Sequence, residues 1–469
     1  MVVTTTTTTR IRGIKNPATA CHVSSPLLVL AYGVAPLAQA ILAAAPLQKS
    51  PFWHAWARVL RQLLLSHNVD NDDDQSRSVG DDDDAVNPDD FYQSLLEQQQ
   101  QVGINPHELG DAITSLAKLL NLLQEDELVG EMARELLYAG RCCTVITGQR
   151  YDTDSQTFRR RIKTTKEKSL PVPFYVSSDN KDMVSSLHQL LLHALSARPV
   201  TGYKWSSPDT FQETILASCP DNVPADQSDH DDDWPTTRKL EINALAPFWL
   251  IHVDHFSLVH GRVRSRQTPC AIPLELDVSK YSQPPSQGEN PSCLYRLSSA
   301  ILHLSSNEEK DEEEDGHYTT LVRSSRNDDS TCWVLIDDCK TTEVSEETCL
   351  NLLAGCHTNL SENGSYMQAS LLVYERMNAK EMVEQTMNRL LSREKEIKLQ
   401  QESLVGRRLE ILWSKGKYYA GAVVSFDSTT RKHTVRYDDG DVRTYNLSKK
   451  TVRWLDDYRL EDGSSSEEN

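Results

Sequence analysis

Two neighbouring stretches decide the fold: Gly-His-Tyr-Thr-Thr-Leu-Val-Arg at 316–323 and Trp-Val-Leu-Ile-Asp-Asp at 333–338. Both are rich in β-branched and aromatic residues and are separated by a polar segment, which predicts two successive strands. A histidine opens the first strand and an aspartate closes the second. Because residues of antiparallel neighbours lie side by side, His317 and Asp337 are expected to meet at one sheet edge. A histidine oriented by a carboxylate is a general-base arrangement.

Further segments extend this pattern in both directions. Strand-like sequence is also present at 295–304 and 369–376, so we predict a sheet of several strands. Near the N-terminus, Gly-Ile-Lys-Asn-Pro-Ala-Thr-Ala-Cys-His-Val at 13–23 places Cys21 before an apolar, helix-like run. A cysteine at a helix N-terminus is activated by the positive end of the helix dipole. Cys21 is therefore a candidate nucleophile, and His317 is the candidate base that would act on it.

Taken together, these segments resemble the ubiquitin-specific proteases, a family of papain-like deubiquitinating cysteine peptidases. The resemblance implies an α+β fold with a helical thumb, a β palm and β fingers. It implies a nucleophile at Cys21, an oxyanion-stabilising amide at Asn16 and a general base at His317. Asp337 would then orient the base, and Asp338 would assist at the oxyanion site. The implied partners are ubiquitin and ubiquitinated proteins.

Departures from the family pattern leave alternatives open. Ala-Thr-Ala stands at 18–20 where the family has Gly-Asn-Thr, and His22 replaces the usual tyrosine. His22 would either perturb the thiolate or pack as a ring in place of tyrosine. Asp111-Ala112 stands for a longer family motif whose Glu and Phe are missing. The rival functions are therefore a degenerate protease fold that binds ubiquitin without cleaving it, and a peptidase for another ubiquitin-like modifier.

The ten cysteines form no CxxC pair, which predicts zinc-free fingers and neither metal nor cofactor. Free thiols suit a reducing cytoplasm or nucleus. The apolar run at 26–46 offers a different localisation, because it follows basic residues and contains Ala-Gln-Ala, as a signal peptide or short membrane span would. Its alternative is a buried helical hairpin interrupted at Pro36, which fits the thumb and needs no membrane.

Charge divides the chain into parts. The net charge is −19, yet three acidic runs hold 23 acidic and only two basic residues, so the remainder is close to neutral. We see no cluster of Lys and Arg, which argues against direct nucleic-acid binding. The runs, expected to be inserts in a catalytic domain over 10–378, are 70–90, 221–233 and 308–315. The run at 308–315 either attracts the basic tail of ubiquitin to the cleft or is only a solvated loop.

A helical linker is predicted over 379–403, a compact β block over 404–455 and an acidic tail over 456–469. The β block has strand-like segments at 422–426, 432–437 and 442–445, with the turn Asp-Asp-Gly-Asp between the last two. They follow an alternating stretch at 405–421.

This block resembles a Tudor domain, a small twisted barrel, whose methyl-lysine-reading members surround the cation with aromatic faces and an acid. The resemblance implies possible binding of methylated Lys or Arg peptides. By position, the walls are Trp413, Tyr419 and Tyr437, and the acid is Asp439. A further wall, often aromatic in the family, falls on Asp441 here. The alternative is that these aromatic side chains simply pack the small barrel.

Overall fold

The computed structural model describes a large part of the chain. Its described residues are 11–16, 19–45, 50–64, 85–98, 102–152, 157–166, 172–177, 185–205, 211–216, 234–259, 262–265, 269–281, 293–305, 316–325, 331–355, 366–413, 416–428 and 430–455. The acidic runs at 221–233 and 308–315, most of the run at 70–90 and the tail at 456–469 lie outside these residues. The chain divides into two compact units, Met1–Val383 and Glu384–Asn469.

The first unit begins with helices. They are α1 (Cys21–Leu28), a π-helical turn (Val29–Gly33), α2 (Ala35–Ala44), α3 (Pro51–Leu64), α4 (Asp89–Glu97), α5 (Ala112–Leu123) and α6 (Glu127–Leu136). Every side chain of α1 is buried, and α2 buries half of its own. The sequence predicted a break at Pro36; the break comes before it, because Pro36 lies in the first turn of α2, where its missing N–H costs nothing.

Among the described residues, no single helix is long and apolar enough to cross a bilayer; only the pair Cys21–Gly33 and Ala35–Ala44, bent by 99°, reaches that length and composition together.

The α5 helix begins after an exposed leucine. Leu109 precedes the helix and is 56% exposed. Asp111 caps the helix, accepting a hydrogen bond from the Thr114 N–H at 2.6 Å. The apolar face of α5 is buried through Ile113, Leu116, Leu119, Leu120 and Leu123.

A five-stranded sheet forms the predicted fingers, in the order β5-β7-β1-β2-β6. Its strands are β1 (Arg141–Asp152), β2 (Thr157–Lys166), β5 (Arg198–Val200), β6 (Gln212–Leu216) and β7 (Thr236–Ala244). Contrary to our sequence analysis, basic residues do cluster here, at 159–161 on β2. Arg161 bonds Glu213 at 2.9 Å and stacks on Trp234 at 4.0 Å, so the fold itself uses part of this charge.

One helix that the sequence analysis missed lies between β2 and β5 in the chain. This helix, α7 (Leu187–Leu195), begins with a capping box between Ser186 and Gln189. Two short strands precede it, β3 (Phe174–Ser177) and β4 (Ser185–Ser186), and three more come after β7: β9 (Phe256–Val259), β10 (Arg262–Ser265) and β11 (Cys270–Ala271).

The palm is an eight-stranded sheet in the order β16-β15-β14-β13-β17-β8-β3, with β12 paired to β13. Its further strands are β8 (Phe248–Asp254), β12 (Glu275–Asp277), β13 (Leu294–Ser305), β14 (His317–Ser325), β15 (Thr331–Asp337), β16 (Lys340–Val344) and β17 (Tyr366–Arg376). One face packs on α7 and α8 (Glu346–Ala354) around fully buried side chains such as Leu302 and Leu372. This sheet carries the strand ends that the sequence singled out.

The helix α9 (Ala379–Glu402) runs across the boundary between the two units. The second unit then forms a five-stranded antiparallel sheet in the order β21-β20-β19-β18-β22. Its strands are β18 (Arg408–Leu412), β19 (Tyr418–Asp427), β20 (Lys432–Tyr437), β21 (Val442–Tyr445) and β22 (Val452–Trp454). The last strand was not predicted; it pairs with β18. The second unit has a small core of its own, which includes Leu409, Ile411, Val423 and Val435.

Candidate active site

Cys21 is the first residue of α1 and is 4% exposed. No side chain caps this helix at Ala20, so the N-terminal N–H groups of the helix remain close to the thiol. The segment before the helix is anchored by Asn16, whose side-chain oxygen accepts a hydrogen bond from the Ala20 N–H at 2.9 Å. The sequence thus places Cys21 where the helix dipole favours a thiolate.

His317 and Asp337 meet at one edge of the palm, at the start of β14 and the end of β15. The His317 Nε2 lies 2.6 Å from Asp337 Oδ1. This hydrogen bond, followed by one with Cys21, raises the pKa of His317 to about 10. Since Nε2 faces the carboxylate, Nδ1 is the ring nitrogen left to face the sulfur. The geometry is that of a cysteine and a histidine oriented by an acid.

Asn16 is held by the residue after Asp337. Its side-chain Nδ2 donates to Asp338 Oδ1 at 2.8 Å, and the Ile14 N–H donates to the Asp338 carbonyl at 2.9 Å. Gly13 permits this approach, because a Cβ there would collide with the Asp338 carbonyl oxygen. An amide nitrogen carries two hydrogens, so one remains available to an oxyanion.

Asp338 sits in a left-handed backbone conformation, with φ of 52°, in the turn between β15 and β16. Asp and Asn tolerate this conformation better than other side-chain-bearing residues. Burial raises the pKa of Asp338, while the hydrogen bond from Asn16 and the charge of His317 oppose that rise. The Asp338 carboxylate therefore contacts Asn16, the residue expected to stabilise the oxyanion.

A further link was missed by the sequence analysis. The Tyr318 hydroxyl donates to Asp111 Oδ1 at 3.2 Å, while the other oxygen of Asp111 caps α5. The Tyr318 ring also packs on His303, with centroids 4.9 Å apart. The residue next to His317 is thereby tied to the thumb. The available signal was Asp111 itself, an N-cap residue before an apolar periodic run.

His22 packs as a buried ring. It is 3% exposed, and its Nδ1 lies 3.0 Å from the Thr19 carbonyl oxygen, to which the N–H tautomer donates. Burial lowers the pKa of His22 and keeps the ring neutral near pH 7. Gly110 makes room for it, because a Cβ at that position would collide with the imidazole. The packing role fits these contacts better than an electrostatic one.

Within the described part of the chain, one group of three His, Cys, Asp or Glu residues has ligand atoms within 4.8 Å of one another: His317, Asp337 and Asp338. His317 and Asp337 are hydrogen-bonded to each other, and Asp338 accepts a hydrogen bond from Asn16. The group therefore belongs to the peptidase arrangement.

In the second unit, three of the four proposed cage residues come together. The Trp413 ring lies 4.8 Å from Tyr419 and 5.4 Å from Tyr437, centroid to centroid. Asp439 instead accepts the Asp441 N–H at 3.0 Å, within the turn. A side chain that the sequence analysis did not include, Tyr445, bonds Tyr437 through their hydroxyls at 3.0 Å.

Residues 12–402 match the family model described as ubiquitin carboxyl-terminal hydrolase. The chain belongs to this family. Among solved structures, the chain is similar to the "SAGA Ubp8/Sgf11/Sus1/Sgf73 DUB module bound to ubiquitin aldehyde", with a TM-score of 0.51 and 14% identity. The match covers 78% of this chain and 69% of that chain. The α+β ubiquitin-specific protease fold expected from the sequence is confirmed.

The chain also shares short segments with sister chromatid cohesion proteins of Arabidopsis thaliana. PDS5 homolog A is 43% identical over 63 residues, which are 13% of this chain and 4% of that protein. PDS5 homolog C is 34% identical over 110 residues, 22% of this chain and 13% of the relative. PDS5 homolog E is 37% identical over 57 residues, which are 12% of this chain and 6% of that protein. The chain thus spans only a small fraction of these relatives.

Proposed function

We propose that this chain is an active cysteine-type deubiquitinase that hydrolyses the bond after the C-terminal glycine of ubiquitin. One observation carries the proposal: His317 is hydrogen-bonded to Asp337 and also contacts Cys21, in a member of the ubiquitin carboxyl-terminal hydrolase family. The likeness to a structure described as bound to ubiquitin aldehyde supports ubiquitin as the partner.

The reaction is an acyl transfer in two steps. The Cys21 thiolate attacks the glycine carbonyl, and the free hydrogen of Asn16 with backbone N–H groups stabilises the oxyanion. His317 gives its proton to the departing lysine amine, which leaves a thioester on Cys21. Neutral His317 then takes a proton from water, the resulting hydroxide displaces the thiolate, and the ion pair is restored.

A ubiquitin bearing a C-terminal vinyl sulfone tests this function. We expect one stable adduct of the full chain, seen as a mass increase, and none with Cys21→Ala. Cys142→Ala is the matched control, since Cys142 is another buried cysteine, and it should be captured like the parent. A chain that binds ubiquitin but forms no adduct would be the inactive scaffold. Capture by a different modifier alone would assign another ubiquitin-like substrate.

The C-terminal module, residues 404–455, is proposed to be a Tudor-like reader of methylated Lys or Arg side chains that targets the enzyme. The clustering of Trp413, Tyr419 and Tyr437 supports this assignment. The test is calorimetric titration of the full chain with one short peptide in methylated and unmethylated forms. Equal affinity for both forms would remove the reader function and leave the aromatic residues a packing role.

The enzyme is proposed to act in the cytoplasm, the nucleus or both. The similarity of short segments of the chain to sister chromatid cohesion proteins supports the nucleus. Imaging of fluorescent fusions with and without residues 404–455 tests the idea. Identical distributions of the two fusions would contradict targeting by the module.

A further inference from the structure

The Trp413 face already carries a cation. The guanidinium carbon of Arg443 lies 4.2 Å from the centroid of the Trp413 ring, within the range of a cation–π interaction. Arg443 belongs to β21, the strand that follows the Asp-Asp-Gly-Asp turn. A side chain of the module therefore occupies the surface that would receive a methylated ligand.

A carboxylate fixes this guanidinium. The Arg443 Nε donates to Asp441 Oδ2 at 2.7 Å, while Asp441 Oδ1 accepts the Val442 N–H at 2.9 Å. The Asp441 N–H is in turn bonded to Asp439. Asp441 is the position where the Tudor pattern often has an aromatic wall. Here, instead of a wall, it supplies the acid that holds an internal cation.

The rest of the aromatic group is preorganised around Trp413. The Trp413 indole N–H donates to the Tyr437 hydroxyl at 2.9 Å, and that hydroxyl donates to Tyr445 at 3.0 Å. Tyr437 is almost fully buried, whereas the Tyr419 ring is 39% exposed. The rings thus need no rearrangement to hold a cation. What must move is the Arg443 side chain, which is 50% exposed and so has solvent beside it.

We propose that Arg443, held by Asp441, is a built-in competitor for the methylated cation at Trp413, so that it sets the affinity and specificity of the module. The proposal rests on the reader function assigned above. An incoming cation must displace the guanidinium from the ring and separate it from its carboxylate. A weak exposed cation–π contact and an exposed ion pair together correspond to a loss of ligand affinity of roughly 3- to 30-fold.

Arg443→Gln in the full chain tests the competition directly. The probes are three versions of one Gly-Ser-rich peptide, carrying trimethyl-lysine, dimethyl-arginine or unmodified lysine, titrated by calorimetry. Arg453→Gln is the matched control: Arg453 stacks on Tyr418 at 3.8 Å in the same module, so its removal changes the net charge equally. We expect Arg443→Gln to bind a methylated peptide roughly 3- to 30-fold tighter than the parent, and Arg453→Gln to match the parent.

Other results have distinct meanings. Equal affinity of parent and Arg443→Gln for a methylated peptide would overturn the competition and leave the reader function intact. Equal tightening by Arg443→Gln and Arg453→Gln would also overturn it, because net charge alone would then explain the gain. Absence of binding in all three proteins would overturn the reader function and the competition with it. Arg443→Lys, which keeps a cation on the ring, gives a second measurement and should stay close to the parent.

Discussion

At the scale of single residues, His317 is the centre of the site because each of its ring nitrogens has a partner. The Asp337 carboxylate is the larger cause of its raised pKa, and Cys21 is the next. With a pKa near 10, the imidazolium persists through neutral pH and is lost only as the pH rises through that value. The competent ion pair should therefore fail on the alkaline side when His317 deprotonates.

Asp337→Asn should move the alkaline limb of the pH profile of kcat/KM to lower pH. The amide can still accept from Nε2 but carries no charge, so the pKa of His317 falls toward the ordinary value for histidine. At pH 8 the loss of kcat/KM on a fluorogenic ubiquitin substrate should be roughly tenfold. The measurement is kcat/KM from pH 6 to 10.5, with Asp277→Asn as a control, since Asp277 binds Ser279 elsewhere. An unshifted limb would mean that another group governs it.

The contact between Asn16 and Asp338 predicts a graded series of defects in kcat. Asn16→Ala should lower kcat by roughly 10²-fold, because an oxyanion donor is lost. Asp338→Asn keeps an acceptor and tolerates the left-handed backbone, so it should stay near the parent. Asp338→Gly keeps the turn but frees the Asn16 amide, and an intermediate loss with little change in KM is expected. If Asp338→Gly matches the parent, the carboxylate does not position Asn16.

At the scale of elements, strand ends were predictable, whereas the contact made by the turn after Asp337 was not. His317 and Asp337 sit at the ends of two strong β patterns, so local sequence placed them together. The Asn16–Asp338 bond joins residues 322 positions apart and depends on a positive φ, which no local pattern encodes. The strand β22 was missed because it has three residues and is defined by its pairing with β18.

The bond between Tyr318 on β14 and Asp111 at α5 should couple thumb and palm. Tyr318→Phe removes one hydroxyl and keeps the ring, so the free energy of unfolding should fall by about 0.5–1.5 kcal/mol. It should also lower kcat/KM, because β14 carries His317 at its start. Tyr374→Phe is the control: its hydroxyl bonds the Pro273 carbonyl at 2.6 Å in the palm. Similar stability losses with equal activities would limit Tyr318 to a packing role.

At the scale of the whole molecule, the family match ends at residue 402, where α9 also ends. Catalysis on a small substrate should therefore need only residues 1–402. We expect that truncated chain to cleave a fluorogenic ubiquitin substrate with kcat/KM within about twofold of the full chain, since separate units usually fold independently. The same truncation with Cys21→Ala gives the background rate. A loss greater than tenfold would make the C-terminal module part of the catalytic domain.

The bond between Asn16 and Asp338 also has a consequence for synthesis of the protein. The two residues are 322 positions apart, so at 5–20 residues per second a ribosome needs roughly 16 to 64 s to travel from one to the other. During that interval the nascent chain carries Cys21 without His317 and without the Asp338 carboxylate that holds Asn16. Under the proposed mechanism, a product that terminates before residue 316 should form no adduct with a ubiquitin electrophile. The candidate site is complete only after residue 338 has been synthesised.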